Sequence, residues 1–408
     1  MSRIESAIIL SDLHLGRESS YLYSKDERFK KNSQALQVFL SELGPQEEFI
    51  ILGDFLELAV GSLDEVYLDA KEFFSIISGT GPYKRIVFVP GNHDHHFWRE
   101  LGEEACINER LRKNLDPPGH LEYTRCFVDM RFSTADEDPP SPIVLHEVWP
   151  DEKPMPEIVV KYPHHFATVT SDEQTDSHYL FTHGHFLEDL FRPVNAIIQP
   201  AYLEELEAFN NFWLESFDYH IGHAGRLSNF IRKFLETFHR WSLKDNPEME
   251  NMIDEIFRQL RRKGYLSWLS GWILKCFLIW KIKKISWPEN SGLYRASLND
   301  KLIKSIEDYI RRYILPRYQK DKAKDFNLLA ERDIPVPFTF VFGHTHNPIK
   351  DEDMAAAKAT VDSKIYPLLN SGGWLRTDRP TIANGENAGV LVINKNGASW
   401  RSLAGLLE

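Results

Sequence analysis

The sequence predicts an α/β fold: buried sheets covered by helices, interrupted by a mostly helical insertion. Three observations predict it. Short continuous apolar runs recur at residues 7–10, 49–52, 86–89, 179–181 and 338–342, and runs of this length read as strands buried on both faces. Each run ends just before a polar segment of Asp, His, Asn and Gly, which places that segment at a strand's carboxyl end, where open α/β sheets bind ligands. Across residues 191–330 the apolar period becomes helical, as in Leu227, Phe230, Ile231, Phe234, Leu235 and Phe238, then Leu302, Ile303, Ile306, Tyr309, Ile310 and Tyr313.

In chain order, the first strand leads into Asp12 and His14, which share a direction because side chains alternate with period two. The second leads into Gly53-Asp54 and the third into Gly91-Asn92-His93-Asp94. Residues 134–157 concentrate Asp, Glu and Pro and read as an irregular excursion, after which 158–162 resume as a strand. The fourth segment is His183-Gly184-His185. The insertion follows, and the fifth segment is Gly343-His344-Thr345-His346. Residues 368–374 and 389–393 read as strands of a second sheet, with glycines that permit tight approach to the polar loops.

The polar segments define a chemistry. Carboxylate, imidazole and an Asn amide, without cysteine, suit divalent ions such as Mn, Fe, Co, Ni or Zn. A structural zinc site would use thiolates. A carboxylate such as Asp54 can bridge two ions, and ions about 3.5 to 4 Å apart can activate a water and clamp an in-line displacement at phosphorus.

The ordered set DxH, GD, GNH[DE], H and GHxH resembles the calcineurin-like metallophosphoesterase superfamily. That resemblance implies a four-layer αββα sandwich and hydrolysis of a phosphoester or pyrophosphate by a hydroxide formed at two divalent ions, Mn first, with Fe, Zn, Co or Ni as alternatives. It implies that Asp12, His14, Asp54 and His346 hold one ion, and that Asp54, Asn92, His183 and His344 hold the other. His93 falls beside the phosphate as general acid or transition-state stabiliser, a role that an imidazole pKa near 6.5 suits. Asp94 is expected to orient His93. His185, His95, His96, His164 and His165 are expected to support the site or lie at the surface rather than ligate. Catalytic domain boundaries of 1–190 and 331–408, with the insertion at 191–330, follow from the placement of these motifs.

Composition agrees with a large soluble enzyme. The 408 residues exceed what a single core organises. Three cysteines, Cys106, Cys126 and Cys276, form no CxxC pair, so a reducing cytoplasm is expected. The first strand begins almost at Met1, so no signal peptide is expected. Residues 226–320 carry 20 Lys and Arg against 10 Asp and Glu, whereas the chain as a whole is at −12. Two readings of this basic stretch stand: contact with an anionic phosphorylated substrate, or pairing with the acidic body.

Residues 265–282 hold Trp268, Trp272, Phe277 and Trp280 with only two charges, Lys275 and, at the far end, Lys281. One membrane crossing there would put His183 and His344 on opposite sides of a bilayer. A buried cap helix, an interfacial helix making peripheral membrane contact through residues 265–287, and the wall of an apolar groove remain as readings. The segments SDLHLG and GDFLEL with this insertion resemble the branch that includes UDP-2,3-diacylglucosamine pyrophosphatases, although His93 stands where those enzymes carry arginine. That points to a nucleotide-sugar or lipid-linked phosphate. A DNA-processing nuclease of the same superfamily is the alternative, disfavoured by the acidic body. A non-catalytic scaffold is the remaining one, disfavoured by the complete ligand set.

Overall fold

The computed structural model describes residues 2–59, 61–117, 130–132, 144–150, 152–187, 203–215, 219, 254, 258, 298–318, 334–376 and 385–407. The strands are β1 (Ser2–Ile4), β2 (Ser6–Leu10), β3 (Glu48–Ile51), β4 (Arg85–Phe88), β5 (Met130–Phe132), β6 (Glu157–Val160), β7 (His165–Thr170), β8 (Asp176–Thr182), β9 (Thr339–Phe342), β10 (Lys358–Val361), β11 (Lys364–Asn370), β12 (Gly389–Asn394) and β13 (Gly397–Ser402). Among the described residues they form two mixed sheets, ordered β13-β12-β2-β3-β4-β6-β5 and β1-β7-β8-β9-β11-β10.

The period-two alternation of the apolar runs explains why both faces are covered. Ala7 and Ile9, Ile50 and Leu52, Val87 and Val89 pack in one core with Ala167, Val169, Phe181 and Val341 of the other sheet. The intervening Ile8 and Leu10, Phe49 and Ile51, Ile86 and Phe88 point the opposite way, into a second core with the helices. On that side lie α1 (Phe29–Leu43) and α2 (Leu63–Ser78). Their inward stripe supplies Leu36, Leu40, Val66, Ala70, Phe73 and Phe74. Phe55 lies edge-on to Phe73, Phe74 and Phe88 at 5.2 to 6.1 Å between ring centroids. Such pairs add about 0.5–1.5 kcal/mol each beyond area burial.

Three further helices bear on the site. The α3 helix (His95–Glu103) follows the third polar segment directly. From within 191–330, α4 (Leu203–Trp213) and α5 (Asp300–Tyr309) are described, the latter capped by the Asn299 side chain accepting from Leu302 N–H. Tyr309 of α5 packs on Phe340 of β9, covering the outer face of the second sheet. The architecture is thus two sheets face to face with helices outside, an α/β sandwich.

Residues 364–370 and 389–394 are both strands but do not share a sheet. β11 pairs with β9 in one, and β12 pairs with β2 in the other, because strand partnership is decided by packing across hundreds of residues and not by local pattern. The helical repeat at 227–238 and the apolar run at 265–282 lie outside the described residues. Among the described residues no helix is long and apolar enough to cross a membrane.

Candidate metal centre

β2, β3 and β4 run parallel, as do β8 and β9, so the five polar segments emerge at carboxyl ends of neighbouring strands. The loops stay zipped past the strand ends. Asp12 N–H donates to Gly53 O (3.0 Å), His14 N–H to Asp54 O (2.8 Å) and Trp374 N–H to Asp12 O (3.0 Å). Asp12, His14, Asp54, His344 and His346 adopt φ of 56°, 45°, 48°, 63° and 56°. This left-handed region is uncommon for any residue with a Cβ, Asp and His being among the more tolerant. It costs on the order of 1 kcal/mol or more per residue and is kept where surrounding structure imposes it.

Close approach requires glycine at two points. A Cβ on Gly343 would lie 2.6 Å from Asp12 Oδ2, and one on Gly373 would lie 2.7 Å from His346 Cγ. The second meets the expectation that the 368–374 glycines let the chain pass close to the polar loops. Asn370 completes that clamp, its amide donating to Gly343 O and Thr345 Oγ1, each at 3.0 Å.

The predicted ligands gather in two adjoining groups, beside a third group made of His14, Glu57 and His93. Asp12, His14 and His346 form one, and Asp54, His183 and His344 the other, each with ligand atoms within 4.8 Å of one another. Asp54 Oδ2 lies 3.2 Å from His183 Nε2 and 3.7 Å from His14 Nε2, so one carboxylate oxygen faces both groups. Asn92 Oδ1 joins the second at 3.2 Å from His183 Nε2. All seven residues singled out as ligands from the sequence are therefore brought together.

The donor set fits divalent cations. His14 Nε2 and His346 Nε2 face each other at 3.4 Å, and His183 Nε2 and His344 Nδ1 at 3.2 Å. His14 donates from Nδ1 to Glu57 Oε2 (2.9 Å) and His183 from Nδ1 to Leu52 O (3.0 Å). With those protons placed on Nδ1, both Nε2 atoms present lone pairs to the centre, the arrangement by which outer acceptors orient a ligating imidazole.

Electrostatics agree. Burial would raise the Asp54 carboxyl, but the imidazoles of His183 and His93 outweigh it and hold the group well below the usual carboxylate range. Burial likewise opposes and His346 drives the lowering of Asp12. His14 falls to about 4 through burial and is neutral at pH 7. His183 is pulled down by burial yet raised to about 9 by Asp54 and Asp12. A cation bound at Nε2 would replace that proton.

Glu57 escaped the sequence reading. Fully buried, it accepts from His14 Nδ1 through one oxygen and from His93 Nδ1 through the other (2.5 Å), and the two rings meet edge-on at 4.7 Å. Arg17 lies 3.5 Å from Glu57 Oε2. Asp94, expected to orient His93, is engaged elsewhere: its carboxylate accepts from the N–H groups of Gly91 (2.6 Å), Phe55 (2.7 Å) and Leu56 (3.3 Å), staking the third loop to the second. Burial and neighbouring Asp54 raise its carboxyl to about 6.

The five other histidines named from the sequence lie as follows. His185 is buried, its Nε2 3.5 Å from the Tyr162 hydroxyl. His164 lies between the hydroxyls of Tyr309 and Tyr318 at 2.9 and 3.1 Å, and His165 Nε2 meets Glu48 at 3.0 Å. His95 and His96 meet Glu215, and His95 also meets Glu207.

A face-to-face pair of sheets with carboxylates and imidazoles converging at their strand ends defines a metal-dependent phosphoric ester hydrolase. The model of the calcineurin-like phosphoesterase family matches residues 6–362, and the chain belongs to that family. No curated protein matches it.

Proposed function

We propose that the protein hydrolyses a phosphoester or pyrophosphate at two divalent ions, with Asp54 shared between them. The observation that carries this reading is that one Asp54 oxygen faces both His14 Nε2 and His183 Nε2. In this reading Asp12, His14 and His346 hold the first ion, and Asn92, His183 and His344 hold the second. Bound there, such ions supply charge neutralisation at the phosphoryl oxygens and lower the pKa of a water.

The chain's own residues do the rest. Glu57 fixes the His93 proton on Nδ1 and leaves Nε2 as the atom from which a protonated ring would donate to the departing oxygen. Asp94 holds the backbone that carries His93 against the second loop. Arg17 is the one lysine or arginine ion-paired to a site carboxylate among the described residues, and it is assigned to a phosphate oxygen of the bound substrate.

The substrate class follows the sequence resemblance: a nucleotide-sugar or lipid-linked phosphate, with Mn as the first metal to try and the cytoplasm, free or at a membrane surface, as the place of action. The test is a panel of phosphomonoester, phosphodiester, nucleotide sugar and single-stranded DNA, each assayed with Mn, Fe, Co, Ni and Zn. Metal-dependent turnover of the nucleotide sugar supports the reading. DNA cleavage alone would favour the nuclease, and inactivity with every metal would refute hydrolysis.

A further inference from the structure

Helix α4 belongs to the stretch between the fourth and fifth polar segments, yet its side chains reach into the loops beside the metal centre. Glu207, buried, accepts from His95 Nε2 at 2.8 Å across 112 residues of sequence. Its second oxygen accepts from the buried Tyr162 hydroxyl at 2.8 Å. That hydroxyl lies 3.5 Å from His185 Nε2. Just past α4, Glu215 takes His95 Nδ1 at 3.1 Å and His96 Nδ1 at 2.7 Å.

These contacts fall on two of the five loops. His95 and His96 directly follow Gly91-Asn92-His93-Asp94, and His185 closes the segment that begins at His183. Asn92 and His183 meet at 3.2 Å, and both belong to the second ion's set. The first ion's Asp12 and His14 come from the first loop and His346 from the fifth, and the hydrogen bonds of Glu207 and Glu215 given above go to neither. Glu207 therefore braces one half of the centre from outside, through the His95 ring after the third segment and, by way of the Tyr162 hydroxyl, toward His185 of the fourth.

We infer that Glu207, assisted by Glu215, is a positioning residue for the second metal site, holding the loops of Asn92 and His183 at the separation which that ion requires. The segment between the motifs is then part of the centre's scaffold. This inference rests on the two-ion reading above. A carboxylate that fixes a neighbouring loop through a ring is the kind of outer partner whose loss weakens metal binding.

The test uses the metal-stripped full chain, titrated with Mn alone by calorimetry, with melting temperature measured in parallel. His183→Ala identifies which binding event is the second site. Glu207→Gln is expected to weaken that event about tenfold while the other stays within about twofold, the lower end for loss of an outer partner. Tyr162→Phe deletes only the hydroxyl arm and is expected to move the same event in the same direction, which carries the test should Glu207→Gln fold poorly. Equal weakening of both events, or of neither, would overturn the inference, because a merely structural role lowers the melting temperature without selecting one ion. A wild type that takes up fewer than two ions overturns the two-ion reading itself.

Discussion

Replacing Glu57 by glutamine keeps its size and removes its charge, and the structure gives the size of the effect. Glu57 accepts one hydrogen bond from each of two imidazoles, His14 Nδ1 at 2.9 Å and His93 Nδ1 at 2.5 Å. Glutamine has one acceptor oxygen, so its NH2 group must face one of those N–H groups. Burial alone would raise the Glu57 carboxyl, but His93 and His14 hold it well below the carboxylate range, so it is charged at neutral pH. A hydrogen bond to a charged group contributes about 1.5–3 kcal/mol, and each 1.36 kcal/mol is tenfold in rate. Losing one such bond at His93 therefore lowers kcat by roughly 10- to 150-fold. Steady-state kinetics on the best substrate of the panel, beside metal content by atomic emission, would measure it. The loss should fall on kcat with KM nearly unchanged, and any metal lost should come from the ion that His14 holds. A Glu57→Gln enzyme turning over within threefold of wild type, at full metal content, would refute the role assigned to Glu57.

Asp54→Ala is expected to empty both sites and abolish activity, whereas His93→Ala should keep its metal and lose about 10²- to 10⁴-fold in turnover; metal content and rate falling together in both variants would contradict that division. Gly343→Ala drives a methyl toward Asp12 Oδ2 and should selectively weaken the first ion by calorimetry, with the second retained. Stability should also respond to alkaline pH. Burial would lower His95, but Glu207 and Glu215 raise it to about 9, so its contribution is complete below its unfolded value near 6.5 and is lost as pH rises through about 9. The upper bound is about 3 kcal/mol, counted once for the His95 and Glu215 partners together. The melting temperature of the metal-free protein should therefore fall between pH 7 and 9.5, by less in Glu207→Gln; an equal fall in both would reject the assignment.

The ligand set was legible because each of its members follows an apolar run of strand length, and because the chemistry needs those side-chain types in pairs. Glu57 was not. An acid three residues after Asp54, inside an otherwise apolar GDFLEL, carried its signal only in being charged among Phe55, Leu56 and Leu58, all of which are buried. A charge in such a place must have a partner. Asp94 read as the natural partner of His93 by adjacency, but adjacent side chains leave a turn in different directions, and its carboxylate closes three backbone N–H groups instead. The contacts of His95 with Glu207 and Glu215 span more than a hundred residues, beyond what local periodicity can convey. The separation of β11 and β12 into different sheets has the same origin.

The left-handed backbone at Asp12, His14, Asp54, His344 and His346 bears on how the centre keeps its shape. Five such residues together hold several kcal/mol at roughly 1 kcal/mol or more each, a sizeable fraction of the 5–15 kcal/mol that keeps a domain folded. Glycine would sit at any of these positions without that tension. That tension is set against what the ligand side chains hold: Asp12 Oδ2 accepts from His344 N–H and Asp54 Oδ1 from His93 N–H. Losing the ligands would release the strain and orphan buried donors together, so the backbone of the centre is kept in place by the side chains that require it.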